Sequence, residues 1–177
     1  MQLLDAVPHI NAVCSLPGRK VFLRGNHDFW WSSVSRVREK LPENSFAIQN
    51  DCIKIGDYVI CGSRGWLLET DRYFSPGTDL AILNREIIRL GLSLQAAEQQ
   101  IDPGQKIIVM MHFPPVYPNL KDTCFSEIIE KYPVDNVVFG HLHGETVPTE
   151  FAFFEKQGVR YHLVSCDFLN FSLKKLY

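Results

Sequence analysis

The sequence predicts an α/β fold, on three observations. Strand-like and helix-like patterns alternate along the 177 residues. Two short runs, 107–111 and 136–139, read as buried strands. Three predicted strands end in loops that carry histidine.

The elements follow in chain order. Residues 6–15 read as a short helix with Pro8 confined to its first turn, where a missing N–H costs nothing. Leu16-Pro17-Gly18 stops it, and Lys20-Val21-Phe22-Leu23 forms a strand running into Gly25. Residues 29–40 look helical, and Pro42 ends them. The β-rich runs 46–49, 52–55 and 58–62 are separated by Asn50-Asp51 and Gly56-Asp57, which is hairpin punctuation. Residues 79–100 carry the longest helical pattern. Thr78 or Asp79 caps it, and Leu80, Leu83, Ile87, Ile88 and Leu94 line one broad face. Asp102-Pro103-Gly104 closes it. The run Ile107-Ile108-Val109-Met110-Met111 reads as a strand buried on both faces. A helix near 123–131 precedes the strand at 136–139, and 151–154 and 160–166 are two further strands.

Composition bounds the function classes. Apolar residues make up 46% and charged residues 21%, which excludes disordered, collagen-like and coiled-coil chains. With 18 basic and 20 acidic residues the formal net charge is −2, so nucleic acid is not indicated as the main partner. No apolar stretch approaches the ~20 residues of a membrane span, and the N-terminus lacks the pattern of a secretory signal. Cys14, Cys52, Cys61, Cys124 and Cys166 form no CxxC pair. They read as reduced, buried thiols of a cytoplasmic protein.

The chemistry concentrates at three strand ends. The first delivers Gly25-Asn26-His27-Asp28, the second His112 followed by Phe113-Pro114-Pro115, the third Gly140-His141-Leu142-His143-Gly144. Ligands of open α/β sheets gather outside the carboxyl ends of strands, so these loops point to one shared site. Singly, each piece is also an ordinary turn or core feature. His9 and His162 lie outside the loops and read as structural or solvated. Together, imidazole nitrogens and an amide oxygen suit manganese, iron or zinc better than calcium. Arg64, in Ser63-Arg64-Gly65-Trp66, is either a substrate-phosphate ligand or a surface arginine packed on Trp66.

Gly-Asn-His-Asp after one strand and Gly-His-x-His after a later one resembles the calcineurin-like metallophosphoesterase superfamily. The run 16–20 leading to Arg24-Gly25-Asn26-His27-Asp28-Phe29-Trp30-Trp31 is similar to a bacterial branch of predicted phosphohydrolases. So are Cys61-Gly62-Ser63-Arg64-Gly65-Trp66 and Ser165-Cys166-Asp167-Phe168-Leu169-Asn170-Phe171. The resemblance implies a β-sandwich flanked by helices (αββα). It implies hydrolysis of phosphate mono- or diesters through a metal-activated hydroxide, with two divalent cations (manganese, iron or zinc) as cofactors. Asn26, His112 and His141 would bind one cation and His143 the other. His27 would face the scissile phosphate, and Asp28 would orient His27.

The same resemblance requires an upstream Asp-x-His and a Gly-Asp, whose aspartates bind and bridge the metals. Neither precedes Gly25; the only upstream acid is Asp5. The expectation is a single domain over 1–177 that is the C-terminal part of a longer one, missing its first strands. Two other readings stand beside the phosphoesterase. One is a degenerate module that binds phosphate or a partner without turnover. The other is a mononuclear zinc hydrolase using His112, His141 and His143, which leaves Asn26 without a role.

Overall fold

The computed structural model describes residues 2–144 and 147–177. Helix α1, Leu3–Cys14, opens on Gln2, whose N–H is accepted by the Asp5 carboxylate at 2.7 Å. That cap starts the helix three residues earlier than the sequence pattern predicts. Pro8 therefore lies inside the helix and not in its first turn. Strand β1, Lys20–Leu23, pairs in parallel with β2, Ser45–Ile48. Helix α2 is only Val34–Arg38, capped by Ser33, whose hydroxyl accepts from Arg36 N at 3.3 Å. The helix predicted from residue 29 does not start there. Residues 27–31 instead make consecutive tight turns, with Phe29 N on His27 O and Trp31 N on Asp28 O.

Trp31, Val37 and Ala47 form a small core between these elements. Trp31 is buried in it.

The second sheet has six strands: β3 (Cys52–Ile55), β4 (Tyr58–Ser63), β5 (Lys106–Met111), β6 (Val134–Phe139), β7 (Phe153–Lys156) and β8 (Val159–Leu163). Their order is β3-β4-β5-β6-β8-β7. The four central strands β4, β5, β6 and β8 are parallel, and β3 and β7 are antiparallel edges. Gly56-Asp57 does make the β3–β4 hairpin, with Gly56 at φ 57°. Asn50-Asp51 does not make a second one, because β2 pairs with β1 in the other sheet. The remaining helices are α3 (Pro76–Gln100), α4 (Ser126–Ile129) and α5 (Thr149–Ala152).

Helix α3 covers β3 and β4. Its cap is Ser75, not Thr78 or Asp79, and the Asp79 carboxylate reaches back to Ser75 N at 2.7 Å. The buried stripe is Leu83, Glu86, Leu90, Ser93, Leu94 and Ala97. Leu80 and Ile88, expected on it, are exposed. The stripe admits Glu86 and Ser93 because each has a specific partner. Ser63 Oγ donates to Glu86 Oε2 at 2.8 Å, and the Ser93 hydroxyl accepts from Gly62 N and donates to Asp51 O.

The main core lies under this helix and the shorter α4 and α5, where Val59, Cys61, Ile107, Val109, Val137, Phe139, Tyr161 and Leu163 meet Phe125, Ile129 and Phe151. Strand β5 alternates: Ile107, Val109 and Met111 are buried, while Ile108 and Met110 are half-buried. The expectation of a strand buried on both faces is corrected here, since only one face is fully covered. On the other face the C-terminal Tyr177 stacks on Tyr58 and accepts a hydrogen bond from Asn136 Nδ2. No helix among the described residues is long and apolar enough to cross a membrane. All five cysteines are free. Cys61 is buried as expected, and Cys166 is exposed.

Candidate metal centre

Parallel strands bring the three motif loops to one end of the fold. A cavity of about 290 Å³ opens there. Asn26, His27 and Asp28 line it from the end of β1, His112 from the end of β5, and His141 and His143 from the end of β6. The loops are stitched to one another. His112 N and Phe113 N both donate to Arg64 O, and Gly140 N donates to His112 O at 3.2 Å.

Local sequence sets each side chain. Gly25 lies against Asp28 and His112; a Cβ there would meet Asp28 Oδ2 at 3.2 Å and the His112 ring at 3.3 Å. The Asp28 carboxylate accepts from Gly25 N at 2.6 Å and from Trp30 Nε1 at 3.0 Å. Both of its oxygens therefore hold the loop in shape. His141 adopts φ 69°, a left-handed conformation that costs a non-glycine residue about 1–2 kcal/mol. Its ring lies over Phe113, centroids 4.2 Å apart.

Three heteroatoms converge. Asn26 Oδ1 is 2.7 Å from His112 Nε2, which is 3.2 Å from His141 Nδ1. Ligand atoms that share one cation at bonds of about 2.0–2.2 Å lie roughly 3 Å apart, and these two contacts are of that order, which is also the length of an ordinary hydrogen bond. Burial, and next the neighbouring His141, holds the His112 imidazole down to about 4. Burial, and next His143, also lowers His141. Both rings are neutral at pH 7, the form that ligates. The donors present fit one borderline cation. They offer little to a bridged pair, because Asp28 is the only carboxylate lining the cavity among the described residues and it already accepts from Gly25 N and Trp30 Nε1.

His143 is held from a quarter to which the sequence reading assigned no role. Its Nδ1 is 2.9 Å from Asp167 Oδ1, and Gly144 N donates to Asp167 Oδ2 at 2.9 Å. The Gly144 N–H, and next His143, hold the Asp167 carboxyl down to about 2. Asp167 is thus an acceptor for Nδ1–H, which leaves Nε2 of His143 as the lone-pair nitrogen. Cys166 completes a His-Cys-Asp group whose ligand atoms lie within 4.8 Å of one another. The signal for Asp167 was available, since Ser165-Cys166-Asp167 follows β8 at the same sheet end.

Arg64 is not brought to the cavity. Its guanidinium sits 4.3 Å over the Trp66 ring and 3.5 Å from Glu86 Oε1. Burial lowers its pKa, with Glu86 opposing that shift.

The family model of the calcineurin-like phosphoesterases matches residues 4–145, well over half of the sequence and all three loops. The chain belongs to the calcineurin-like phosphoesterase family. No curated protein and no solved structure matches it. Membership accounts for the mixed sheet with flanking helices and for histidine-bearing loops at one sheet end. The calcineurin-like phosphoesterases act on phosphate esters and bind divalent metals.

Proposed function

We propose that the chain is a metal-dependent phosphoesterase whose own side chains hold one divalent cation through Asn26, His112 and His141, with His143 beside it. The observation that carries this reading is the convergence of Asn26 Oδ1, His112 Nε2 and His141 Nδ1 at successive distances of 2.7 and 3.2 Å. A three-histidine zinc site has no use for Asn26, and the 2.7 Å contact favours including it. Manganese, iron or zinc suits the donors. When bound, the cation supplies Lewis acidity to a phosphoryl oxygen and lowers the pKa of the attacking water.

The chain's residues do the rest. His27 is exposed on the cavity wall and protonates the leaving oxygen of a phosphate mono- or diester. Asp28 positions His27 through the loop backbone, by fixing Gly25 and Trp30 on either side. Asp167 fixes the His143 tautomer. Arg64 stays outside this assignment, its charge committed to Glu86 and Trp66. Five free thiols support a reducing compartment such as the cytoplasm.

The experiment is metal loading followed by turnover of 4-nitrophenyl phosphate and bis(4-nitrophenyl) phosphate. His27→Ala lowers turnover by about 10²-fold or more and keeps its metal content. Asn26→Ala loses metal. Metal lost from His27→Ala would refute the role given to His27. A loaded chain that turns over neither ester supports the second reading, a non-catalytic phosphate-binding module. The observation favouring that reading is the absence of a free carboxylate among the described residues lining the cavity.

A further inference from the structure

A second cavity, of about 280 Å³, adjoins the first. His141 lines both. From His141 the wall continues through Phe113, whose ring centroid is 4.2 Å away, to Trp66, a further 5.4 Å on. Val116, Leu142 and Phe151 close the apolar side, and Asp71 stands as the charged group.

The wall is preorganised. Trp66 Nε1 donates to Asp79 Oδ1 at 3.0 Å, and the Arg64 guanidinium packs on the indole 4.3 Å from its centroid. Asp79 is itself buried and bonded to Ser75 N. A fixed aromatic surface loses little freedom on binding a flat partner. Among the described residues lining this cavity there is no Lys or Arg, so a second phosphate there would face Asp71 without a counter-charge from them. An apolar cavity near 150 Å³ takes one benzene ring, so about 280 Å³ takes a two-ring system.

We propose that this cavity is the leaving-group subsite, and that the substrate class is a phosphate ester of a flat, uncharged aromatic alcohol. The same described lining offers a polyphosphate or a nucleic-acid strand no cation. The proposal rests on the phosphoesterase reading for the position of the phosphoryl group, and on the second cavity alone for the ring.

The test is calorimetric titration of the zinc-loaded chain with 1-naphthyl phosphate, glycerol 3-phosphate and 1-naphthol. The naphthyl ester binds at least about tenfold more tightly than the glycerol ester, as burial of two apolar rings requires. Thr70→Trp, at the exposed rim of the cavity, and Leu67→Trp, as a second filling variant, each abolish that preference and leave zinc affinity unchanged. Equal affinity for the two esters overturns the proposal, as does a preference that survives both filling variants. The failure of the metal reading looks different. Zinc and glycerol 3-phosphate then fail to bind, while 1-naphthol still binds wild type and not the filled variants.

Discussion

Gly62 is the residue at which the fold tolerates least. It sits at φ 148° beside β5, and a Cβ would lie 1.9 Å from Met110 O. That atom is backbone, in a strand paired on both sides, so it has nowhere to go. Gly62→Ala is expected to cost about 3 kcal/mol, read as a lower urea midpoint at unchanged slope. Asp167 governs the site and not the fold. Asp167→Ala frees His143 to take the other tautomer. Turnover by the metal-loaded chain is expected to fall by roughly 10–100-fold. Asn, which still accepts from Nδ1–H, restores part of it. The readout that a merely structural role would not move is the ¹⁵N shift of the His143 ring nitrogens. It reports Nδ1–H in wild type and in Asp167→Asn, and changes in Asp167→Ala.

Helix α3 illustrates what is decided between elements. Leu90 is fully buried on its sheet-facing side, while Ile88 is 62% exposed two positions away. Leu90→Ala is therefore expected to cost about 2–5 kcal/mol and Ile88→Ala less than about 0.5 kcal/mol, both from chemical denaturation. Glu86 belongs to the same buried stripe and meets Arg64, Arg85 and Arg89, the last at 2.8 Å. Glu86→Ala leaves the Arg64 guanidinium, 11% exposed, without its carboxylate, and an expected loss of about 3–5 kcal/mol follows. Because Arg64 also braces Trp66, the same variant should loosen the naphthyl preference.

At the scale of the molecule, a buried polar relay ties the C-terminus to the sheet. His162 Nε2 is 2.8 Å from Asn136 Oδ1, and the Asn136 amide donates to the Tyr177 hydroxyl. With Nε2–H donating, Nδ1 of His162 is left buried without a partner among the described residues. Burial lowers the His162 pKa, and Lys174 and Arg160 add to the shift in the same direction. Above about pH 6.5 the ring is neutral in both folded and unfolded chains and contributes nothing to pH dependence. Below it the unfolded chain binds a proton that the folded one refuses, so stability falls with pH. The urea midpoint of the metal-free protein is expected to drop between pH 7.5 and 5.5. His162→Gln should show a smaller drop.

Much of this was legible along the chain, for a local reason. Strands and turns declare themselves through nearest neighbours: 52–55, Gly56-Asp57 and 58–62 already spell a hairpin. Gly-Asn-His-Asp and Gly-His-x-His declared both the family and the sheet end where its chemistry sits. The misreadings share one cause. The broad apolar pattern of α3 does not say which edge of it meets a sheet, so it points to Leu80 and Ile88, whereas the sheet covers Glu86 and Ser93. Residues 29–33 are helix-compatible until the Asp28 carboxylate captures Gly25 N and Trp30 Nε1. Arg64 could reach a phosphate or cover a tryptophan, and its place over Trp66 beside Glu86 depends on a distant helix. The fold class, the family and the residue types at the three loop ends are readable along the chain, because those depend on short-range pattern. Which heteroatoms meet is fixed only on folding, since Asn26 and His112 are 86 residues apart and His143 and Asp167 are 24 apart. Contacts across such separations are set by the packing of whole strands, which no local stretch of residues encodes.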